Sequence, residues 1–228
     1  MDYLLRDSCH IDVHYGRFDL HRLISSAVVT QPEEGSAPQL GIEEGGWHAA
    51  EALVLARYFM FTQVYFHKTR VAYDVHLRKA LKELLPGNRF PRPIEAELSR
   101  FLEWDDWKVL GLFNGDEAGE HGRRIIERNH YREVYHTPEV CNDQELQRLN
   151  AVKAVLGNLL VAEEPAAKSW YKTGPSDINV LSRMRHPSVL PLSKYSKVIE
   201  NMKGNNQVLL YVDAARREEA EQRMKGGA

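Results

Sequence analysis

The sequence predicts a mainly α protein, in which a helical bundle is followed by a small α+β subdomain. Through the first two thirds of the chain, apolar residues recur at spacings of three, four and seven, which is typical of helices with one buried face. After Pro165, short β-branched or apolar runs separated by Gly, Pro and Asn replace that pattern. We therefore expect a helical domain in residues 1–164 and an α+β subdomain in residues 165–228.

Helices account for most of the expected bundle. The longest covers residues 48–85 and ends at Pro86-Gly87, because proline cannot continue a helix. Further helical patterns cover residues 93–114 and 142–162, and a basic helix covers residues 123–135. These helices supply enough apolar faces for one buried core.

Capping residues mark the beginnings of two helices. Asp19 precedes a short helix that packs its apolar residues inward, and its carboxylate can accept a backbone N–H. Asn142, followed three residues later by Glu145, forms a capping box. The apolar residues of the short helix are Leu20, Leu23 and Ile24.

Around the short helix, two irregular segments are expected. The chain begins with a helix through Asp7, and an irregular turn around Gly16 follows this helix. Residues 31–47 contain two Pro and four Gly among polar residues, which predicts a loop or exposed hairpin.

The expected α+β subdomain alternates short strands with helices. Strands are predicted at residues 170–172, 178–181 and 207–212, and helices at residues 194–202 and 214–224. The pattern indicates a small appendage on the helical domain.

Composition excludes several classes of protein. Thirty Lys and Arg against 32 Asp and Glu give a net charge of −2, which argues against the broad basic face of a sequence-independent nucleic-acid binder. No apolar run approaches the roughly 18 residues of a membrane span. We therefore expect no membrane partner. The two cysteines, Cys9 and Cys141, form no CxxC motif, so we expect a reducing, cytoplasmic location.

Tyr3 and Asp7 are the first candidate site residues. They are four residues apart, so a helix presents both side chains on one face, where a phenol ring can pack on a sugar and a carboxylate can accept a hydrogen bond from a ribose hydroxyl. The alternative is a structural role, with Asp7 paired to Arg6 or Arg22.

The octet MDYLLRDS that contains these residues resembles a stretch of the HD-domain phosphohydrolases, the superfamily that includes the deoxynucleoside triphosphate triphosphohydrolases. In that family the stretch follows closely after the last metal-binding aspartate, which would lie just before Met1. The resemblance implies the C-terminal portion of such an enzyme, with part of an HD-domain-like bundle. It also implies that Tyr3 and Asp7 line a deoxynucleotide pocket.

A second resemblance covers residues 58–74, which are similar to a helix that closes the other side of that pocket. There Ala72-Tyr73 matches an Ala-Tyr pair whose ring packs on the substrate. Tyr65, Thr69 and Tyr73 are spaced by four and would form one stripe on a continuous helix. Core packing is the alternative for such a stripe. The remaining substrate-binding candidates are Lys68 and Arg70, for the phosphate chain, and Asp74.

Arg124, Arg128 and Arg132 repeat every four residues along the predicted basic helix. Such a row can bind phosphates bidentately, and family members often bind regulatory nucleotides or assemble into oligomers near this part of the fold. The alternative is a solvated helix face.

No metal ligand set is predicted within the chain. The family holds a divalent metal with a His, a His-Asp pair and a distant Asp, but no histidine here immediately precedes an aspartate. His10 and His14 have a helical ligand spacing, yet Asp12 stands where the family usually has a glycine, which implies a turn between them. We therefore expect no catalytic residue here, and no hydrolysis by this chain alone.

Two functions follow from these observations. The first is the C-terminal portion of a metal-dependent HD-type phosphohydrolase that acts on deoxynucleoside triphosphates, binds the nucleotide and forms a homo-oligomer. The second is a non-catalytic nucleotide-binding or oligomerisation module. A helical protein without any nucleotide role is the third alternative.

Overall fold

A computed structural model describes residues 1–31, 35–115, 117, 119–168, 177–184 and 187–226, without the side chains of Pro86 and Lys168. Helices account for 57% of it, which confirms the mainly α fold class. The chain forms two compact units. Unit 1 comprises Met1–Phe66 and Ala166–Asn206, and unit 2 comprises His67–Pro165 and Gln207–Ala228. The predicted domain division between residues 164 and 165 stays a prediction.

The described α-helices are α1 (Asp2–His10), α2 (Leu20–Ser25), α3 (Trp47–Met60), α4 (Lys68–Leu84), α5 (Leu98–Leu102), α6 (Asp106–Phe113), α7 (Gly119–Ile126), α8 (Asp143–Leu156), α9 (Leu192–Tyr195), α10 (Lys197–Glu200) and α11 (Arg217–Gly226). The described strands are β1 (Ala27–Thr30), β2 (Gln39–Glu43), β3 (Arg132–His136), β4 (Leu160–Lys168), β5 (Asn179–Ser182), β6 (Ser188–Pro191) and β7 (Asn205–Val212). Within this part of the chain, no helix is both long enough and apolar enough to span a bilayer.

Unit 1 packs short helices against a four-stranded sheet. The strand order is β1-β2-β5-β6, in which β2 and β5 are parallel and the two outer pairs are antiparallel. Apolar side chains from the sheet meet the buried face of α3, so burial of apolar surface stabilises both layers. The buried members of this core are Leu23, Ile42, Ala49, Ala50, Val54, Val180, Leu192 and Ile199.

Unit 2 has a second core, between helices and a three-stranded sheet. The strand order is β3-β7-β4, and β3 runs antiparallel to β7 with a register shift between Glu133 and Tyr135. Helix α4 packs against α7 and β3. The buried residues against the sheet are Leu149, Leu156, Leu159, Leu210, Val212 and Ala220.

Both predicted caps are confirmed. The Asp19 carboxylate accepts the backbone N–H of Arg22 at 2.8 Å, and the Asn142 side chain accepts that of Glu145 at 2.9 Å. Of the loop or exposed hairpin predicted over residues 31–47, the structure shows β2, which pairs antiparallel with β1 just before that range. Within the short helix, Leu23 is buried as expected, whereas the expectation for Ile24 was wrong because its side chain is 61% exposed.

The single helix predicted over residues 48–85 is wrong. Helix α3 ends at Met60 and continues as one π-helical turn, Phe61–Tyr65, in which the Phe66 N–H donates to the Phe61 carbonyl at 2.8 Å. His67 then takes a non-helical conformation (ψ 131°), and its side chain accepts the Thr69 N–H at the start of α4. Tyr65 and Tyr73 therefore lie on different helical segments, and the predicted continuous stripe does not exist.

Two other predicted helices are also interrupted. The pattern over residues 93–114 forms α5 and α6, because Asp105 is extended and caps α6 through the Lys108 N–H at 2.7 Å. The basic helix predicted over residues 123–135 ends at Ile126, and β3 follows it. Arg128 lies between them in a left-handed conformation (φ 57°).

The chain after residue 131 contains more strand than expected. The strands predicted at 178–181 and 207–212 are confirmed as β5 and β7, whereas the prediction at 170–172 lies outside the described residues. Strands β3, β4 and β6 were not predicted. Helix α8 ends at Leu156 instead of residue 162, because Gly157 takes a positive φ of 50° and β4 begins soon afterwards.

The expected turn around Gly16 packs directly on α1. A Cβ atom at this glycine would lie 2.2 Å from Ser8 Oγ and 2.3 Å from the Leu4 carbonyl oxygen.

We predict that Gly16→Ala lowers the free energy of unfolding by about 1–3 kcal/mol in urea titrations, because the close contact forces the backbone apart. The matched control is Gly111→Ala in α6, where open space surrounds the Cβ position. There, higher helix propensity raises stability by about 0.5–1 kcal/mol. Equal effects of the two substitutions would contradict the packing argument.

Candidate functional site

Three predicted site residues come together in unit 1. The Tyr65 hydroxyl donates a hydrogen bond to Asp7 Oδ2 at 2.5 Å. The rings of Tyr3 and Tyr65 lie 6.4 Å apart between centroids, and Phe61 meets Tyr65 edge-on at 4.8 Å. We call Tyr3, Asp7, Phe61 and Tyr65 the Tyr3 cluster. It places a carboxylate among aromatic rings at a half-buried position.

The cluster depends on how α1 is held. Tyr3 and Asp7 lie one helical turn apart, while Leu4 and Ser8 are buried on the adjoining face. The Ser8 hydroxyl accepts the Gly16 N–H at 2.8 Å and donates to Met60 Sδ at 3.4 Å. These contacts fix α1 against the end of α3, from which the turn that carries Tyr65 continues.

The predicted pairing of Asp7 with Arg6 or Arg22 is absent, whereas a structural role for Asp7 stays an alternative. Arg6 pairs with Asp2 at 2.5 Å, and Arg22 donates to the Gly45 carbonyl at 2.7 Å. Neither arginine neutralises Asp7. Among the described residues, its second carboxylate oxygen, Oδ1, has no hydrogen-bond partner.

Electrostatics assign the proton in this cluster to Tyr65. Burial, the hydrogen bond to Asp7 and the nearby Asp7 charge all raise the pKa of the Tyr65 hydroxyl far above its usual range. Tyr65 therefore stays neutral and donates its proton to the hydrogen bond with Asp7. The arrangement leaves Oδ1 of Asp7 available to a second hydroxyl donor.

The other predicted substrate-binding residues lie on α4 in unit 2. Arg70 and Asp74 form an ion pair with each other at 2.9 Å, one helical turn apart. The Tyr73 ring lies 4.9 Å from the His130 ring, at an interplanar angle of 58°. The expectation that Tyr73 shares a pocket with Tyr3 stays a prediction.

Lys68 lines a basic cavity of about 390 Å³ in unit 2, which we call the Lys68 pocket. Its charged side chains are Lys68, Arg132 and Arg217, against the single carboxylate of Glu133, which lies 4.0 Å from Lys68 Nζ. Thr69, His130 and Tyr131 complete it. The excess of positive charge suits an anion such as a phosphate.

The predicted row of three arginines is wrong. Arg124 binds Glu120 at 2.8 Å and Asp213 at 2.6 Å, and its guanidinium lies 5.3 Å from the centre of the Tyr131 ring. Arg128 follows the end of α7, and Arg132 belongs to β3. The three side chains do not form one helical face, and Arg132 is the one that lines the Lys68 pocket.

A buried histidine pair was missed by the sequence analysis. His76 on α4 is fully buried, its Nδ1 lies 2.9 Å from His121 Nδ1, and its Nε2 accepts the Tyr131 N–H at 3.2 Å. Burial lowers the pKa of His76 to about 4, and the nearby His121 and Arg124 charges act in the same direction. The spacing of four from the buried Ala72 and Ala80 is the signal that places His76 on the buried face.

The divalent metal that the family resemblance implies does not fit the described residues. They contain no group of three His, Cys, Asp or Glu side chains that could hold an ion. Helix α1 ends at His10, and Asp12 takes a left-handed conformation (φ 54°), so the expected turn separates His10 from His14. No catalytic step can therefore be assigned to a metal bound by these residues.

Comparison with known families decides the relationship. The model of a family described as "HD associated region" matches residues 18–164. The chain belongs to the HD-associated region family. Its predicted relation to the HD-domain superfamily is confirmed at this level, whereas specificity for deoxynucleoside triphosphates stays a prediction.

Relatives of this HD-associated chain occur in bacteria and archaea. It is 42% identical over 81 residues to YwfO of Bacillus subtilis and 40% identical over 89 residues to MJ1154 of Methanocaldococcus jannaschii. These alignments cover 36% and 39% of this chain and 17% and 19% of the relatives. The chain therefore matches less than a fifth of either protein.

The solved structures that resemble the HD-associated chain include two with long aligned regions. A hypothetical protein from Aquifex aeolicus has a TM-score of 0.78 and 28% identity, over 98% of this chain and 56% of that protein. A phosphohydrolase, BT4208, from Bacteroides thetaiotaomicron has a TM-score of 0.63 and 21% identity, over 93% of this chain and 60% of that protein. The second likeness shows the fold. This chain spans less than two thirds of each.

The Tyr65–Asp7 hydrogen bond can be tested by Tyr65→Phe, which keeps the ring and removes the donor. We expect the free energy of unfolding to fall by about 1–2 kcal/mol, because a half-buried hydrogen bond to a charged acceptor is lost. Tyr15→Phe is the control, since the exposed Tyr15 ring packs on Phe59 in the same unit at 6.4 Å. Its cost should stay below about 0.5 kcal/mol in the same urea titration. Equal losses in both variants would contradict the assigned bond.

His76 should titrate with a midpoint near pH 4 when its imidazole C–H signal is followed by NMR and assigned with His76→Gln. Because this pKa lies below the ordinary value of 6.5, the unfolded chain binds a proton that the folded protein does not. Stability is therefore lost as the pH falls from 6.5 to 4, by about 3 kcal/mol from this residue. His76→Gln should lose less over that range. A midpoint near 6.5 would show that the imidazole is solvated.

Proposed function

We propose that this chain forms part of the nucleotide pocket of a metal-dependent HD-type phosphohydrolase, and that the nucleotide is a deoxynucleoside triphosphate. The observation that carries the proposal is the Tyr65–Asp7 hydrogen bond, which orients the Asp7 carboxyl group in the cluster that contains the Tyr3 and Tyr65 rings. The phosphohydrolase BT4208, with the same fold, supports the reaction class.

The Tyr3 cluster has the chemistry of a sugar-binding site. An aromatic ring such as that of Tyr3 packs on the apolar face of a deoxyribose, while a carboxylate accepts a hydrogen bond from the sugar hydroxyl. Because Tyr65 occupies Oδ2 of Asp7, Oδ1 is the acceptor for this hydroxyl. Tyr65 thereby sets the orientation of the carboxylate before any ligand binds.

The Lys68 pocket suits the phosphate chain of the same class of ligand. Lys68 and Arg132 line it together with Arg217, which is itself paired with Glu221 at 2.8 Å, and a triphosphate needs several positive partners. Arg70 is held by Asp74, so its assigned part in phosphate binding requires exchange of that ion pair. Lys68 is the better candidate, because 4.0 Å separates its ammonium from the nearest carboxylate.

Hydrolysis itself requires metal ligands that this chain does not supply as a His-Asp pair. In HD-type phosphohydrolases a divalent metal polarises the phosphate and activates water. The role of this chain in the proposed enzyme is thus to bind and orient the nucleotide, and the chain by itself should not hydrolyse it.

The alternative function is a non-catalytic nucleotide-binding or oligomerisation module. An apolar surface in unit 1 favours it, because Val29 on β1 is 72% exposed and Leu40 on β2 is 73% exposed. Exposed apolar patches of this kind often mark interfaces, and a homo-oligomer would cover it.

Titration of the chain with each of the four deoxynucleoside triphosphates, followed by calorimetry and thermal shift, tests the proposal. We expect binding that weakens about tenfold in Tyr3→Ala and in Asp7→Ala, since each loses a contact of about 1.4 kcal/mol. Tyr15→Ala is the matched control and should bind as the wild type does. Equal affinity in Tyr3→Ala and Tyr15→Ala would remove the Tyr3 cluster from the pocket. Binding of ribonucleotides with the same affinity would remove the deoxynucleotide preference.

A further inference from the structure

A second cavity in unit 2 shares no lining residue with either site described above. Its volume is about 520 Å³, and it lies between the chain that follows α4 and the two helices α5 and α6. We call it the Trp104 pocket. Its lining includes the side chains of Arg89, Phe90, Glu97, Arg100, Trp104 and Lys108. The volume falls within the range of ordinary small-molecule sites.

Hydrogen bonds hold the wall of this pocket in place. The Glu97 carboxylate accepts the backbone N–H of Arg92 at 2.8 Å and contacts its guanidinium at 3.3 Å. The backbone of Trp104 is fixed from the other side, because its main-chain N–H donates to the Phe101 carbonyl at 3.1 Å and Asp105 then caps α6. The loop that carries Arg89 and Phe90 is therefore tied to the start of α5, and the site is formed in advance of any ligand.

The pocket carries an excess of positive charge. Glu97 is paired with Arg92, and Glu103 lies 3.5 Å from Lys108 Nζ. Arg89 and Arg100 line the pocket without an ion pair to any described residue. Two guanidinium groups are thus available, and guanidinium binds phosphate oxygens through paired N–H donors.

Aromatic rings stand beside these arginines. The Phe90 and Trp104 rings lie 6.0 Å apart at 85°, and Lys108 Nζ lies 4.7 Å from the centre of the Trp104 ring. Phe90 is 40% exposed, so its ring can receive a flat ligand group. An exposed aromatic ring next to arginine can bind a nucleobase by stacking and its phosphate by charge.

We propose that the Trp104 pocket binds a nucleotide, with the base against Phe90 and Trp104 and the phosphate between Arg89 and Arg100. A solvated charged surface would not require two adjoining aromatic rings or a loop fixed by Glu97. The proposal is independent of the function assigned to the Tyr3 cluster, because the two sets of residues lie in different units.

Titration with AMP, followed by the indole N–H signals of the four tryptophans in ¹⁵N NMR spectra, tests this site. Trp104→Phe assigns the signal of Trp104. We expect AMP to shift that signal and to leave the signal of Trp47, which belongs to unit 1, in place. The double variant Arg89→Gln/Arg100→Gln should bind AMP about tenfold or more weakly, because two charge-assisted contacts are lost. The control is Arg148→Gln, an exposed arginine of α8, which should retain the wild-type affinity.

Three further probes separate the possible outcomes. Adenosine lacks the phosphate and pyrophosphate lacks the base. Each should bind about tenfold or more weakly than AMP if the aromatic rings bind the base and the arginines bind the phosphate. Added salt should weaken AMP binding, since exposed charges are screened. The proposal would be overturned if AMP left the Trp104 signal in place, or if pyrophosphate bound as tightly as AMP. It would also be overturned if a single-stranded hexanucleotide bound through Trp104 far more tightly than AMP, because the pocket would then be part of a nucleic-acid surface.

Discussion

The geometry of the Tyr3 cluster depends on the small contact between Ser8 and Gly16. Glycine at residue 16 lets the turn approach the α1 backbone so closely that its N–H reaches the Ser8 hydroxyl, which in turn reaches Met60. A fully buried hydroxyl must satisfy its hydrogen bonds, so this position admits few other arrangements. Because Tyr3 and Asp7 lie on the same helix as Ser8, their positions opposite Tyr65 follow from it.

A second constraint is the interruption at Phe66 and His67. A continuous helix would carry Tyr65 and Tyr73 on one face, whereas the observed break assigns them to different units of the chain. The chemistry is divided in the same way. Unit 1 carries an aromatic and carboxylate cluster suited to a sugar, and unit 2 carries two basic cavities suited to phosphates.

The helices could be predicted where one face is continuously apolar and a capping residue directly precedes the helix in the sequence. Asp19 and Asn142 illustrate this, because a cap needs only a side chain and a backbone N–H three residues away. The breaks at His67 and Asp105 were not predicted, although both residues act as helix caps. The helical spacing of apolar residues continues across each break, so the sequence pattern does not reveal it. The predicted row of arginines was wrong for the same reason, because residues four apart share a face only within one continuous helix.

By itself, the sequence determined the mainly α fold class and the two caps, because residue type and helical spacing are local properties. Residue type and the family resemblance also made Tyr3, Asp7 and Tyr65 candidates. The tertiary structure alone decided that Tyr65 donates to Asp7 and that Arg124 is held by Glu120 and Asp213. It also decided that His76 is buried against His121 and Tyr131. Most of these partners are 45 to 89 residues apart in the chain, and such pairs meet only when the packing of apolar surface brings distant segments together.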